Sequence, residues 1–335
     1  MRRLIPCLFA LAACAKPVPT PSTAATAIIL TTVGDSSTTI ESVALYDKKL
    51  YTTDWSGRIW EIDPAAPTPK QVGTLPVKPG AYLLGEVADS AGNLLIAQAD
   101  AGIVWRVARA RLGAADFDPK KDATVFITGA DGANGITIAR DGHVWIGGGA
   151  SGKVFHTPST GGKAIIFAEG FSPVSPDTAM PVRVYVANGA AFDSKGNFYT
   201  MNTGTGTIWR LEVKPDHQPG AVTKVVESPM LLGVDGVVVG IGDTLYATQN
   251  FRNTFSKISP TGEITVLRSD NNMANTTVRT IGSSGQDLGP AGVLRFPAEL
   301  VGDGKTFYIA NLNFPLGANA TGHRPGASIA KVTLP

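Results

Sequence analysis

The sequence predicts an all-β fold, a six-bladed β-propeller in one domain spanning residues 27–335. Three observations predict it. One unit of strands and turns recurs six times. The chain holds 38 Gly and 23 Pro among 335 residues, a composition that supplies turns rather than a helical bundle. An apolar strand with no partner of its own precedes the first unit. Length alone would give about two domains, but large all-β folds often run as one.

The unit is clearest at Asn188-Gly-Ala-Ala-Phe-Asp-Ser-Lys-Gly-Asn-Phe-Tyr199, followed by Gly206-Thr-Ile-Trp-Arg-Leu211. An apolar strand, a polar turn with Gly, an alternating strand, a second Gly turn and another strand follow one another. Period-two alternation and turn chemistry make that a β-meander. Other copies join Glu41–Tyr51 to Gly57–Trp60, Leu84–Leu95 to Gly102–Trp105 and Asn134–Trp145 to Gly152–Phe155. Asp235–Tyr246 leads to Phe255–Ile258, and Phe296–Tyr308 leads to Ala327–Lys331. Second-strand markers at 51, 95, 145, 199, 246 and 308 are 44 to 62 residues apart, the size of a four-stranded blade with loops. The sixth unit stops after its third strand, whereas Ala27–Val33 (AIILTTV) stands alone in front. An exposed edge strand is a liability, so residues 27–33 are expected to complete the last blade and close the ring.

The N-terminus carries its own signals. Met1-Arg2-Arg3 is basic, and Leu4–Ala13 is an apolar run too short to span about 30 Å of hydrocarbon but suited to a secretory signal. Leu11-Ala12-Ala13-Cys14 resembles the bacterial lipobox. Residues 1–13 are therefore expected to be a lipoprotein signal peptide, Cys14 the lipidated residue, and 14–26 a flexible tether. The expected location is the bacterial envelope, periplasmic or outer-membrane-anchored, with the lipid as the sole membrane contact and a monomer above it.

Charge then reads differently. The formal +2 comes from 29 basic and 27 acidic residues, and both excess charges are Arg2 and Arg3. Without residues 1–13 the chain is formally neutral and keeps no support for nucleic-acid binding. Cys7 leaves with the signal and Cys14 is acylated, so no thiol remains for catalysis.

Familiar motifs fail. Gly147-Gly-Gly-Ala-Ser-Gly152-Lys153 has Val154 where a phosphate loop needs Ser or Thr, and it joins strands, so it reads as a blade turn. No G-x-S-x-G elbow occurs. His143, His156, His217 and His323 show no metal-ligand spacing. Trp60, Trp105, Trp209 and Phe155 share one blade position and are expected to pack.

The start of each first strand carries the chemistry. In a propeller these strands line the central channel. Aligning the units puts Glu41, Leu84, Asn134, Asn188 and Asp235 at equivalent places, and Gly follows four of them. Four oxygen-bearing side chains converging on an axis repel or stay unsatisfied unless something binds them. Two carboxylates and two carboxamides offer hard oxygens and a charge of −2, which suits Ca²⁺. The absence of Cys and His from the set argues against Zn²⁺ or Cu²⁺. The alternative is a water-filled polar channel without metal. Glu86, two residues past Leu84, is a further channel candidate, toward a second ion.

At these residues the chain resembles the gluconolactonase and senescence-marker-protein family, and the related six-bladed paraoxonases and diisopropylfluorophosphatases. The resemblance implies a catalytic calcium held by Glu41, Asn134, Asn188 and Asp235, with Asp235 as base or nucleophile. Glu41-Ser-Val-Ala-Leu45 stands where the family often has Glu-Gly-Pro-x-Trp, and no paraoxonase-like His pair occurs. The implied activity is calcium-dependent hydrolysis of a lactone or related ester, with a small molecule as substrate.

Specificity is expected in the mouth loops. Trp55, Arg252 and His323 are candidates there, with the segments 171–184, 270–295 and 311–324. Glu299, in Phe296-Pro-Ala-Glu299, resembles the blade-six Glu of strictosidine-synthase-like propellers, and a one-residue slip would turn it away. Two other classes remain: a non-catalytic binding or scaffold propeller, and a condensing enzyme that depends on Glu299 and needs no calcium.

Overall fold

The computed structural model describes residues 25–171, 186–270, 292–302, 304–312 and 326–335. The expected signal peptide, Cys14, nearly all of the tether and His323 lie outside these residues, as does most of each of the three long mouth segments. Among the described residues the strands form six sheets, five of four strands and one of five. The fifth strand of that sheet is Gly162–Lys163, which pairs parallel to Ala123–Thr128 across the seam between blades two and three. Among the same residues helix is nearly absent, and the one α-helix is Pro119–Asp122, opened by Asp118 accepting from the Lys120 N–H.

The sequence forms strands because Val, Ile, Thr and aromatic residues alternate between two packed faces. The second strand of each blade sits deep. Tyr51, Trp145, Phe198 and Phe307 on second strands, and Phe255 on a third, are fully buried between neighbouring blades. Each such side chain stabilises the stack by about 1.5–3 kcal/mol. Phe155 also packs in the core, and Trp60, Trp105 and Trp209, half-buried, pack against it. Two of these indoles serve another purpose as well. Trp60 Nε1 donates to Asp54 Oδ2 (3.0 Å) and Trp105 Nε1 to Gln98 Oε1 (2.8 Å), each tying the third strand to the end of the second.

The ring closes as expected, one residue early. Thr26–Thr32 pairs antiparallel with Ser328–Thr333, Ala27 opposite Val332, and becomes the outer strand of the sheet that holds Pro297–Gly302 and Thr306–Asn311. The chain's first and last described strands thus share blade six.

The innermost strands are Ala44–Tyr46, Leu83–Ala88, Ile136–Ile138, Asn188–Phe192, Val234–Val239 and Pro297–Gly302. In four of them the register slips near the mouth: between Leu83 and Glu86, Asn188 and Ala191, Val234 and Val237, and Pro297 and Leu300. Such bulges re-aim side chains. Three of the four coincide with residue-plus-Gly pairs read from the sequence. The glycines have a steric cause, because inner strands crowd at the axis. A Cβ on Gly135 would lie 2.6 Å from Gly189 Cα, and one on Gly236 would lie 2.6 Å from Glu299 Cα. Gly189 adds a left-handed φ of 49°.

Candidate metal centre in the channel

Cross-strand pairing fixes the channel register. The second-strand markers oppose Ala44, Val87, Thr137, Ala191, Val238 and Val301. Stepping three residues back from each gives Glu41, Leu84, Asn134, Asn188, Asp235 and Ala298. The four predicted ligands are therefore equivalent positions in blades one, three, four and five, and none is more than 5% exposed.

Asp235 is the best-held member. Asn188 Nδ2 donates to its Oδ1, and Asn250 Nδ2 donates to its Oδ2 at 2.8 Å. Asn188 is oriented in turn, since its Nδ2 also donates to Thr203 Oγ1 (3.0 Å) and its Oδ1 accepts from the Gly189 N–H (3.0 Å). Burial pushes the Asp235 carboxyl up to about 7, although both carboxamides pull it down. Glu41 is raised well above the usual carboxylate range by burial, then by the negative charges of Asp235 and Glu299. Its Oε2 is buried with no hydrogen-bond partner. Asn134 completes the register beside the turn at Gly149, where a Cβ would meet the Asn134 side chain at 3.3 Å.

Ala298, not Glu299, occupies the sixth channel position. Glu299 stands one residue on, where blades two to five carry Gly and blade one carries Ser42. The offset does not remove it from the site. Gly236 leaves room for the neighbouring side chain, since a Cβ there would lie 2.7 Å from Glu299 Oε1. Burial, followed by the Asp235 charge, pushes Glu299 up to about 8. Its backbone N–H donates to the Glu41 carbonyl (3.0 Å) and links the inner strands of blades six and one.

Glu86 stands on the inner strand of blade two. Its N–H donates to Ser42 Oγ (2.9 Å) at the seam of blades one and two. Burial pushes its carboxyl up to about 8, offset in part by Thr53, and its Oε1 has no partner.

The rim follows the same register. Four residues past each marker stand Trp55, Ala99, Gly149, Thr203, Asn250 and Leu312. Trp55 meets Tyr82 edge-on at 5.1 Å, and Tyr82 is 47% exposed, so blades one and two present an aromatic lip. Arg252 is buried and donates to the Pro229 carbonyl (2.9 Å), bracing the connection that leads into blade five. Thr203, Asn250 and Tyr82 were not singled out in the sequence, although counting four residues on from the markers finds the first two.

The histidines also differ from the sequence reading. Side chains of Asp141, His143 and His217 come together, although nothing in their spacing shows it.

Solved structures share this architecture at low identity. A gluconolactonase from Xanthomonas campestris matches with a TM-score of 0.58 and 16% identity, covering 93% of this chain and 90% of the other. A luciferin-regenerating enzyme matches at 0.61 and 12%, covering 88% and 91%. Virginiamycin B lyase from Staphylococcus aureus matches at 0.58 and 15%, covering 93% and 99%. At these identities the likeness is one of fold. No curated protein matches the sequence. The family model described as SMP-30/Gluconolactonase/LRE-like region matches residues 41–288, nearly three quarters of the chain and five of its six channel positions, and to that family the chain belongs.

Proposed function

We propose that the protein is a metal-dependent hydrolase of a lactone or related ester, with one Ca²⁺ held by Glu41, Asn134, Asn188 and Asp235. One observation carries the reading: Glu41 Oε2 is buried and unpaired in a channel where Asp235 and Glu299 add negative charge. Among the described residues no cationic side chain contributes to the shift of any of the three. Buried carboxylates without a counter-charge cost several kcal/mol each. A hard divalent cation removes that cost, and an all-oxygen set of two carboxylates and two carboxamides fits it.

Bound there, Ca²⁺ would polarise the ester carbonyl as a Lewis acid. Asp235, fixed by two carboxamides, is suited to accept the proton of the attacking water. Glu299, whose side chain lies beside Gly236 and Asp235, is suited to give a proton to the departing oxygen. The water oxygen joins the acyl carbon as the acyl C–O bond breaks, and the products are a carboxylic acid and a hydroxyl group. Family membership and the fold shared with a gluconolactonase support this class of reaction.

The place of Glu299 beside Asp235 also favours a second reading, a condensing enzyme that needs Glu299 and no calcium. A panel of lactones and aryl esters, with and without chelator, separates the two. Hydrolysis lost on chelation and in Glu41→Gln and Asp235→Asn supports the first. Turnover that ignores chelator and fails only in Glu299→Gln supports the second, and a protein stabilised by Ca²⁺ yet inert to the whole panel is a binding propeller. We also propose that Cys14 anchors the mature chain at the envelope, which mass analysis of Cys14→Ser against the parent tests through loss of acylation.

A further inference from the structure

Three of the four histidines meet at the end of the propeller opposite the channel acids. His143 lies in the turn between the first and second strands of blade three, five residues beyond Ile138. His156 is on the third strand of that blade, Val154–Thr157. His217 sits in the turn between the third and fourth strands of blade four and holds a left-handed φ of 60°. Asn134 and Asp141 bracket the inner strand of blade three, so at about 3.3 Å per residue the cluster is well over 10 Å from the channel mouth.

The packing is close. The His143 and His217 rings stack with centroids 3.9 Å apart and planes 6° from parallel. His156 lies 6.1 Å from His143 and 5.9 Å from His217, within 18° of both planes, with Trp145 stacked on it at 4.9 Å. Asp141 Oδ1 accepts from the His143 backbone N–H (3.1 Å), and Asp141 Oδ2 is 2.8 Å from His217 Nε2. One donor atom from each of Asp141, His143 and His217 lies within 4.8 Å of the others.

We infer that Asp141, His143 and His217 form a second metal centre, for a borderline divalent ion of the Zn²⁺ class, which joins blade three to blade four. Two imidazoles and one carboxylate suit Zn²⁺, Ni²⁺ or Cu²⁺, whereas Ca²⁺ and Mg²⁺ take oxygen alone. With metal–donor bonds of about 2.0–2.1 Å, adjacent donors of a tetrahedral ion stand about 3.3 Å apart. The Asp141–His217 contact is already close to that edge, and the stacked His143 and His217 rings would have to turn apart for their in-plane lone pairs to meet one ion. An ion bound there would displace the proton between Asp141 Oδ2 and His217 Nε2 to solvent.

Two further features point to a ligand. His143 Nδ1 is buried and has no hydrogen-bond partner. His156, 7% exposed and packed behind the two rings, also has an unpartnered Nδ1. Three donors leave a fourth position, as in zinc sites that keep a water or an outside ligand. Asp141 and His217 line a cleft of about 780 Å³ that also receives Ser194, Lys195 and Asp243. The inference is independent of the hydrolase reading, since none of its residues enters that mechanism.

Titration of the chelator-treated full chain with Co²⁺, then Zn²⁺, in saturating Ca²⁺ tests it. One equivalent of Co²⁺ is expected to develop the visible bands of a tetrahedral site and to be displaced by Zn²⁺. His143→Ala and His217→Gln should each weaken Zn²⁺ binding by tenfold or more, while Asp235→Asn leaves it unchanged. Zn²⁺ should also protect His143 and His217 of the parent from acylation by diethylpyrocarbonate, a readout that needs no variant to fold. Absence of a stoichiometric Co²⁺ spectrum, binding that survives the two substitutions, or modification that ignores Zn²⁺ would each overturn the assignment.

Discussion

Replacing Asp235 by Asn should stabilise the metal-free protein at pH 8 and gain nothing at pH 4. The folded carboxyl titrates at about 7 against an ordinary value of 3.8. One pH unit of difference is about 1.36 kcal/mol, so ionising this group in place costs about 4 kcal/mol. Between the two values the folded state binds more protons than the unfolded chain. Stability of the metal-free parent therefore falls as pH rises from about 4 to about 7, and the loss is complete by pH 8. Glu41 and Glu299, both raised, push in the same direction. The carboxamide introduced by Asp235→Asn would escape the ionisation but would present an N–H₂ toward Asn188 or Asn250, which also donate, at about 1–2 kcal/mol. The net gain is about 2–3 kcal/mol at pH 8, read from urea unfolding in chelator. At pH 4 only the mismatch remains, and the variant should be slightly weaker than the parent. Saturating Ca²⁺ should reverse the order at pH 8, because the parent then keeps a ligand that the variant lacks. A variant weaker than the parent at pH 8 in chelator would refute the reasoning. So would a metal-free parent whose stability is flat from pH 4 to 8.

Other substitutions probe the supports of the same site. Gly236→Ala would drive a methyl against Glu299 Cα and the Ala298 carbonyl, at 2.6 and 2.7 Å, and should cost about 1–3 kcal/mol in unfolding free energy. Asn250→Ala removes the donor to Asp235 Oδ2 and should lower kcat of the proposed hydrolysis about tenfold with little change in KM; an effect on KM alone would assign Asn250 to substrate binding. Trp55→Ala opens the lip it forms with Tyr82 and should raise KM for aryl esters about tenfold while sparing small lactones, and equal effects on both would place the pair outside the binding surface.

The blade repeat was legible because it depends on local chemistry. Turn glycines, two-residue alternation and an aromatic or Leu marker recur along the units, and each can be seen within ten or so residues. The closing strand was legible for a different reason, since Ala27–Val33 had no neighbour and the last unit lacked its fourth strand. The register of Glu41, Asn134, Asn188 and Asp235 survived because the markers opposite them count in the same step. What sequence order concealed was contact between blades and between a loop and the inner strand of its own blade. Asn250 reaches Asp235 from a loop, Glu299 enters the channel through space left by Gly236, and Asp141 and His143 meet His217 from turns more than 70 residues apart. Arg252 was a rim candidate in the sequence, and its donation to the Pro229 carbonyl was not legible there.

Ring closure and the acid cluster belong to one physical problem. Glu41 opens the first blade and Glu299 sits in the last, so their proximity exists only because the first and last described strands share a sheet. The Glu299 N–H bound to the Glu41 carbonyl places two carboxylates against Asp235. An open ring could relax that repulsion by letting blades six and one part. The outer strand Thr26–Thr32, tied along the length of Ser328–Thr333, opposes such parting. The β-ladder thus adds to the local hold of Asn188 and Asn250 on Asp235, and a cation drawn to the acids would meet donors already in place. Under the proposed function, that preorganisation would let a hard ion bind without the cost of assembling its ligands.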